Sequence, residues 1–252
     1  MHVTAFSPKT LAKKVRRSET PAAHSCFVLG GGAVLFSPTM STQHLPPLRF
    51  TGCANFRQRI ALSTLSGRRI VIASIRSKDD SPGLRDYEAN FLRLMDKLTN
   101  GSSIEINETG TSLRYSPGFL LGGSLEHDCG TARSIGWFLE GILALAAFGK
   151  KPLALVLKGV TNDDVDYCVD TLKFLHLPAM AHFGVKEGLE LELVRRGCTP
   201  GGGGEVRFAC PAVRELKAIN FVEEGYIKKI RGVAYACKVS PLVANRMVDS
   251  AR

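Results

Sequence analysis

A chain of 252 residues, 44% hydrophobic and 22% charged, is long enough to bury a core and has the balance of one large or two small globular domains. Its 33 Lys and Arg against 23 Asp and Glu leave a formal charge of +10 and a pI near 9.4, which favours nucleic acid or another anion as partner, although a merely solvated basic surface carries the same charge. Seven cysteines without a CxxC pair exclude the usual zinc and thioredoxin-like spacings and read as reduced thiols of an intracellular protein, and the eleven-residue apolar stretch 26–36 is too short to span a bilayer.

Residues 1–45 differ in character from the rest of the chain. Lys9, Lys13, Lys14, Arg16 and Arg17 stand against a single acid, Glu19, with no sustained periodicity, which reads as a disordered basic leader. KKVRR within it has the composition of a localisation or transit signal, and Met40 offers an internal start. From Leu48 the elements come in order. LRFTG (48–52) is a short strand, 53–67 a helix closed by Gly67, and RIVIASI (69–75) a β-branched strand. A helix is expected over 81–101, started by Ser81-Pro82 and stopped by Gly101, with Leu84, Tyr87, Phe91, Met95 and Leu98 on one face. Strands at 103–108 and 112–116 come next, joined by a turn at Thr109-Gly110.

The order then repeats. A strand near 124–128 leads into the almost wholly apolar helix 132–148, then a strand at 152–160. A helix is expected over 163–184, interrupted near Pro178, before two strands at 189–196 and 205–210. A β-α-β-α-β-β order therefore occurs twice, giving an α/β (α+β) fold with units at 46–123 and 124–215. The tail 216–252 ends in a helix begun by Ser240-Pro241 that lacks partners of its own.

PGGGG (200–204) lies between two strands of one hairpin. A phosphate loop of the dinucleotide or P-loop kind needs a helix N-terminus directly after it, and here Glu205 and a strand come instead. A flexible linker would not be bounded so closely by matching strands. What remains is a wide turn with unshielded backbone N–H groups, still able to bind an anion.

RGCTPGGGGEV (196–206), SPGLRDYEANFLRLM (81–95), YSPGFLLGGSLEHDCG (115–130) and KGVTND (158–163) together resemble the RNA 3′-terminal phosphate cyclase superfamily, from about residue 48 to 252, and most closely its non-catalytic, cyclase-like branch. The resemblance implies repeats of a β-α-β-α-β-β unit plus a smaller inserted α/β domain, whose opening 216–252 would be. It implies a nuclear, nucleolar factor in early pre-rRNA cleavages. Its expected partners are pre-rRNA with the small nucleolar ribonucleoprotein, or small-subunit processome, and a ribosome-assembly GTPase, with no membrane, metal or cofactor. The departures point the same way. Phe50-Thr51-Gly52-Cys53-Ala54 replaces the cyclases' Glu-Gly-Gly-Gly-Gln run, Arg57 matches a family arginine, Glu140 stands where the family has glutamine, and the chain stops before the repeat that carries the nucleophilic histidine. Against the resemblance the chain reads as C-terminally truncated, a short isoform, a partial gene model or a fragment, and an active ATP-dependent cyclase, a direct rRNA endonuclease and a non-functional truncated isoform are the competing expectations.

The candidate RNA or anion contacts are Arg57, Arg59, Arg68, Arg69, Arg76 and Lys78, which lie in an acid-free stretch, then Arg195 and Arg196, then Gly201, Gly202, Gly203 and Gly204. Lys228, Lys229 and Arg231 read as ordinary surface charge. Glu126, His127, Asp128 and Cys129 invite a metal or catalytic reading, but neighbours on a strand point to opposite faces. His176 and His182, six apart, are expected to be structural, and Asp163, Asp164, Asp166 and Asp170 to favour the dipole of a helix beginning there.

Overall fold

The computed structural model describes residues 33–35, 45–222, 225–237 and 239–251, with backbone alone at 33–35, so residues 1–32 and 36–44 of the basic leader, KKVRR and Met40 among them, lie outside the described residues, while Ala33–Leu35 of that leader form a strand. Two four-stranded sheets carry the chain. In the first, β2 (Leu48–Thr51) pairs in parallel with β3 (Ile70–Ala73), and β3 pairs antiparallel with β6 (Leu113–Ser116), which pairs antiparallel with β5 (Ser103–Ile106). In the second, β8 (Gly123–Asp128) runs parallel to β9 (Leu153–Gly159), then β11 (Gly204–Cys210) and β10 (Glu190–Arg195) continue antiparallel. Numbered within each unit, both sheets have the strand order 1-2-4-3. The repeat seen in the sequence is therefore a repeat of topology.

Period-2 alternation makes these strands. Leu153, Leu155 and Leu157 of β9 and Val206, Phe208 and Cys210 of β11 turn inward, while Lys158 and Arg207 turn out. Helices α1 (Phe56–Ser66), α2 (Asp86–Leu98) and α3 (Ile135–Ala146) cover the inner faces, and the buried residues of both units form one continuous core. Shorter pairs, β4 (Thr99–Asn100) with β7 (Phe119–Leu120) and β1 (Ala33–Leu35) with β12 (Glu215–Lys217), tie loops together, and α6 (Leu242–Ser250) ends the described chain.

Three expected boundaries shift. The helix expected from Ser81 begins at Asp86. Gly83 holds φ +94° with its α-carbon pressed on the Thr109 carbonyl, so Ser81-Pro82 form a loop instead, and Glu88 caps the helix through the Arg85 N–H at 2.9 Å. Gly101 is not the stop, because the chain turns extended at Thr99 and enters β4. The helix expected from 163 begins at Val169 as α4 (Val169–Thr171), widens into a π-helical turn over Leu172–His176 and continues as α5 (Leu177–His182). Pro178 has no N–H to donate, and the wide turn absorbs that loss while the helix continues through it.

The units meet through rings. Phe91 of α2 lies edge-on to Trp137 of α3, with centroids 5.5 Å apart, and Trp137 stacks edge-on with Phe138 at 5.0 Å. The same helix covers the outer edge of the second sheet: Asn90 Nδ2 donates to the Asp128 carbonyl at 2.9 Å and Lys97 Nζ to the Glu126 carbonyl at 3.0 Å.

His127, on the inner face of β8, is 4% exposed, packs near Phe138 and leaves both ring nitrogens without a hydrogen-bond partner. Burial first, then Lys97 and Arg93, bring its pKa from 6.5 down to about 4, against a smaller upward pull from Asp128. A lowered histidine pKa stabilises the neutral form, so its contribution is present above pH 6.5 and is lost as pH falls towards 4. Urea unfolding over this range should show stability falling by up to about 3 kcal/mol, and His127→Gln should flatten that slope.

Candidate nucleic-acid interface

A cleft of about 370 Å³ opens at the carboxyl ends of β8 and β9, between the loop after β8 and the glycine hairpin joining β10 to β11. Gly201, Gly203 and Gly204 form one wall, Gly130 and Thr131 another, and Asp128, Lys158 and Arg195 bring side chains to it. The carboxyl ends of strands are where open α/β sheets leave room for ligands.

The glycines divide into two kinds. Gly197 and Gly204 are places of close approach: a Cβ on Gly197 would meet the Gly204 nitrogen at 2.2 Å, and one on Gly204 would meet Thr161 Cγ2 at 2.6 Å. Thr161 locks this base, its N–H donating to the Gly197 carbonyl at 2.7 Å and its Oγ1 accepting from the Gly197 N–H at 3.2 Å. Gly201 and Gly203 have nothing within 4 Å of a Cβ position, so their backbone faces solvent. Gly202, at φ +61°, turns onto Thr131 and donates its N–H to the Cys198 carbonyl at 2.9 Å.

Charge on the outer face of the second sheet alternates. One row across the strands reads Asp128, Lys158, Glu205, Arg195. Lys158 is ion-paired to Glu126, which raises its pKa and keeps it cationic. Asp128 Oδ1 accepts the Gly130 N–H at 2.8 Å, so one acidic oxygen in the cleft is already engaged. Arg195 is exposed at the rim, one residue from Arg196, which is not available in the same way. Arg196 grips Asp170 through two bonds of 2.6 and 3.0 Å and stacks its guanidinium 3.8 Å from the Tyr235 ring centre.

The acid-free stretch 50–78 separates in the same manner. Arg57 donates to Glu140 at 2.7 Å and to the Trp137 carbonyl at 2.6 Å, and lies over the Trp137 ring. Arg76 makes two 2.7 Å bonds to the nearly buried Glu88, the carboxylate that also caps α2, and its pKa rises. Arg59 donates to the Gly52 carbonyl and stacks on Phe50. Arg68 is half-buried with its Nε enclosed, Arg69 reaches the Leu45 carbonyl at 3.3 Å, and Lys78 is exposed. These six do not form one patch: Arg57 and Arg76 face carboxylates inside the fold. Lys158, absent from the sequence candidates, was detectable only as the outward-facing position beside Gly159.

The acids expected to serve a helix dipole do other work, because the helix starts later. Asp163 Oδ1 accepts the Asp166 N–H at 2.8 Å, and Asp166 pairs with Arg133 at 2.8 Å and accepts the Ser134 N–H. Burial raises the Asp166 pKa. Only Asp170 lies in the first turn. Glu126 and Asp128 face outward while His127 and Cys129 face the core, so these four side chains do not converge. His176 is half-buried beside Tyr167, and His182 meets the Phe221 ring edge-on. Burial pushes the Cys210 thiol up to about 11 and the Cys129 thiol higher still, which makes both poor nucleophiles. Among the described residues no group of His, Cys, Asp and Glu could hold a metal ion, and no helix is long and apolar enough to cross a membrane.

Two β-α-β-α-β-β units and an open glycine hairpin define an α/β scaffold of duplicated topology. The chain belongs to the RNA 3′-terminal phosphate cyclase family, whose model matches residues 48–251. The RNA 3′-terminal phosphate cyclase-like proteins of Bos taurus and Homo sapiens are each 59% identical to it over 206 residues, 81% of this chain and 55% of theirs. The rRNA processing protein rcl1 of Schizosaccharomyces pombe is 48% identical over 215 residues, 84% of this chain and 59% of that one. The chain thus spans little more than half the length of these curated relatives.

The division of the arginines has a direct test. Arg76→Ala would strand Glu88 in the core and should cost about 3–5 kcal/mol in urea unfolding, whereas Arg195→Ala and Gly201→Ala should leave the unfolding midpoint unchanged.

Proposed function

We propose that this chain is a non-enzymatic factor of rRNA processing that holds pre-rRNA by its phosphate backbone at the glycine hairpin. The observation that carries the proposal is the cleft, where the open backbone of Gly201 and Gly203 lies beside Lys158 and Arg195. That combination suits a phosphate without reading a base. Similarity to an rRNA processing protein over 84% of the chain supports pre-rRNA as the source of the phosphate. The contacting set is Lys158, Arg195 and Gly201–Gly204, with Lys78 and Arg69 as outlying phosphate contacts.

The absence of cyclase chemistry belongs to the same proposal. Arg57, which matches a family arginine, is tied to Glu140 by a 2.7 Å ion pair and lies on Trp137, so an incoming nucleotide phosphate would have to break that pair and meet a carboxylate. The proposed setting is the nucleolar small-subunit processome, alongside a ribosome-assembly GTPase. Residues 46–123 and 124–215 act as the two units, with 216–252 as the opening of an inserted domain.

Binding of the chain to a single-stranded pre-rRNA fragment, monitored by fluorescence anisotropy, should weaken linearly in log–log dependence on salt. Lys158→Ala and Arg195→Ala should each weaken it several-fold and reduce the salt slope by about one. Incubation with labelled ATP should leave no covalent adenylate. RNA affinity indifferent to both substitutions would remove the cleft from the proposal, and a stable adenylate would overturn the non-enzymatic role.

A further inference from the structure

The cleft at the glycine hairpin holds one group for which a phosphate site has no use. Asp128, the last residue of β8, brings its carboxylate to the cleft beside Lys158, and the two stand in register on neighbouring strands with both side chains on the outer face. A carboxylate repels a phosphate, so Asp128 opposes the contact that Lys158, Arg195 and the open backbone of Gly201 and Gly203 supply. Nor is Asp128 the counter-ion of Lys158, which pairs with Glu126, two positions earlier on β8.

The two oxygens of this carboxylate differ. Oδ1 accepts the Gly130 N–H at 2.8 Å, which holds the group in one orientation. Among the described residues no group donates to Oδ2, and the side chain is exposed to the cleft. A carboxylate oxygen accepts and cannot donate, so the ligand group that suits it is a donor lying next to a phosphate. On a nucleic-acid backbone that donor is the ribose 2′-hydroxyl, on the carbon next to the one that carries the 3′-phosphate, and DNA lacks it. Neighbouring strands stand about 4.8 Å apart, so a phosphate held by Lys158 brings the hydroxyl of its own ribose towards Asp128, one strand over.

We propose that Asp128 accepts a hydrogen bond from a ribose 2′-hydroxyl and so makes the cleft select RNA over DNA. This role rests on the cleft being a phosphate-backbone site, as proposed above, and adds the sugar to what the site reads. Asp128 weakens binding of every strand by its charge and offsets that loss only where a hydroxyl is present. Selectivity between the two nucleic acids then arises from a repulsive group, with no base contact.

Fluorescence anisotropy of the intact 252-residue chain with two labelled strands tests this, one an oligouridylate and the other the same strand with 2′-fluorine throughout. Fluorine keeps the sugar pucker of RNA and removes the donor, so the strands differ in the hydrogen bond and not in shape. The wild-type chain should prefer the hydroxyl strand about tenfold. Asp128→Ala should bring the two affinities within about twofold of each other without weakening the fluorinated strand. Asp128→Asn, whose Oδ1 still accepts the Gly130 N–H, should fall between, because a neutral amide makes the weaker bond. Damage to the loop would instead weaken both strands alike and leave their ratio standing. A wild-type ratio near one, or a tenfold ratio that survives Asp128→Ala, would overturn the role of Asp128 while Lys158→Ala and Arg195→Ala still weaken both strands. If those two variants bind both strands as the wild type does, the phosphate reading of the cleft fails, and the role of Asp128 fails with it.

Discussion

The seating of one unit on the other depends on the absence of a side chain at Gly141. A Cβ there would stand 2.8 Å from Phe91 Cζ and 2.9 Å from Cε2, closer than carbon atoms pack. Glycine inside a helix costs about 1 kcal/mol relative to alanine, and here it admits a whole aromatic ring of the other unit into the surface of α3. Once Phe91 is seated, Trp137 and Phe138 close around it and α1 comes alongside α3. Arg57 then reaches across to Glu140, and α2 extends far enough for Asn90 and Lys97 to cover the edge of β8. A ring contact, an ion pair and an edge cover thus share one geometric origin.

Fold class was legible because it rests on patterns that repeat. Alternation in PLALVLKGV and EVRFAC fixes which faces turn inward, and the matching order of elements in the two halves fixes the duplication. What misled were start signals taken from residue type alone. Ser81-Pro82 has the composition of a helix start, yet the chain must first bring Gly83 against the Thr109 carbonyl, a contact set by the tertiary fold. Asp163 and Asp166 likewise have the composition of a first turn, but they bind the loop ahead of the helix, and a partner as distant as Arg133 is invisible to local reading.

The site was legible as a loop and not as a set of charges. PGGGG between two strands announces an exposed backbone, and Gly201 and Gly203 lie that way, while Gly202 bonds to the Cys198 carbonyl and Gly204 is buried in the base of the hairpin. A net charge of +10 says only that cations outnumber acids, whereas binding depends on which cations lack an internal carboxylate. Arg57, Arg76 and Arg196 each face one at 2.7 Å or less, and nothing in their neighbours in sequence distinguishes them from Arg195. Adjacent arginines can separate because successive strand positions face opposite ways: Arg196 turns to Asp170, and Arg195 stays on the face that carries Lys158.

Duplicated topology sets the hairpin that walls the cleft against its counterpart in the first unit. In the first unit the corresponding hairpin, β5 to β6, is closed on itself: Asn107 Oδ1 accepts the Ser112 N–H at 2.8 Å, and its Nδ2 donates to Thr109 and Thr111. Gly83 and Gly110, from the loop after β3 and from this hairpin, then press together. In the second unit the loop after β9 also meets its hairpin, through Thr161 with Gly197 and Gly204, but the contact stops at the base and Gly201, Gly202 and Gly203 carry the turn outward beyond it. One topological position is therefore built as a plug in the first unit and as an open wall in the second. Side chains that bond back onto their own turn make the plug, and their absence makes the wall. An open cleft arises here without any change in strand order, from the composition of a single hairpin.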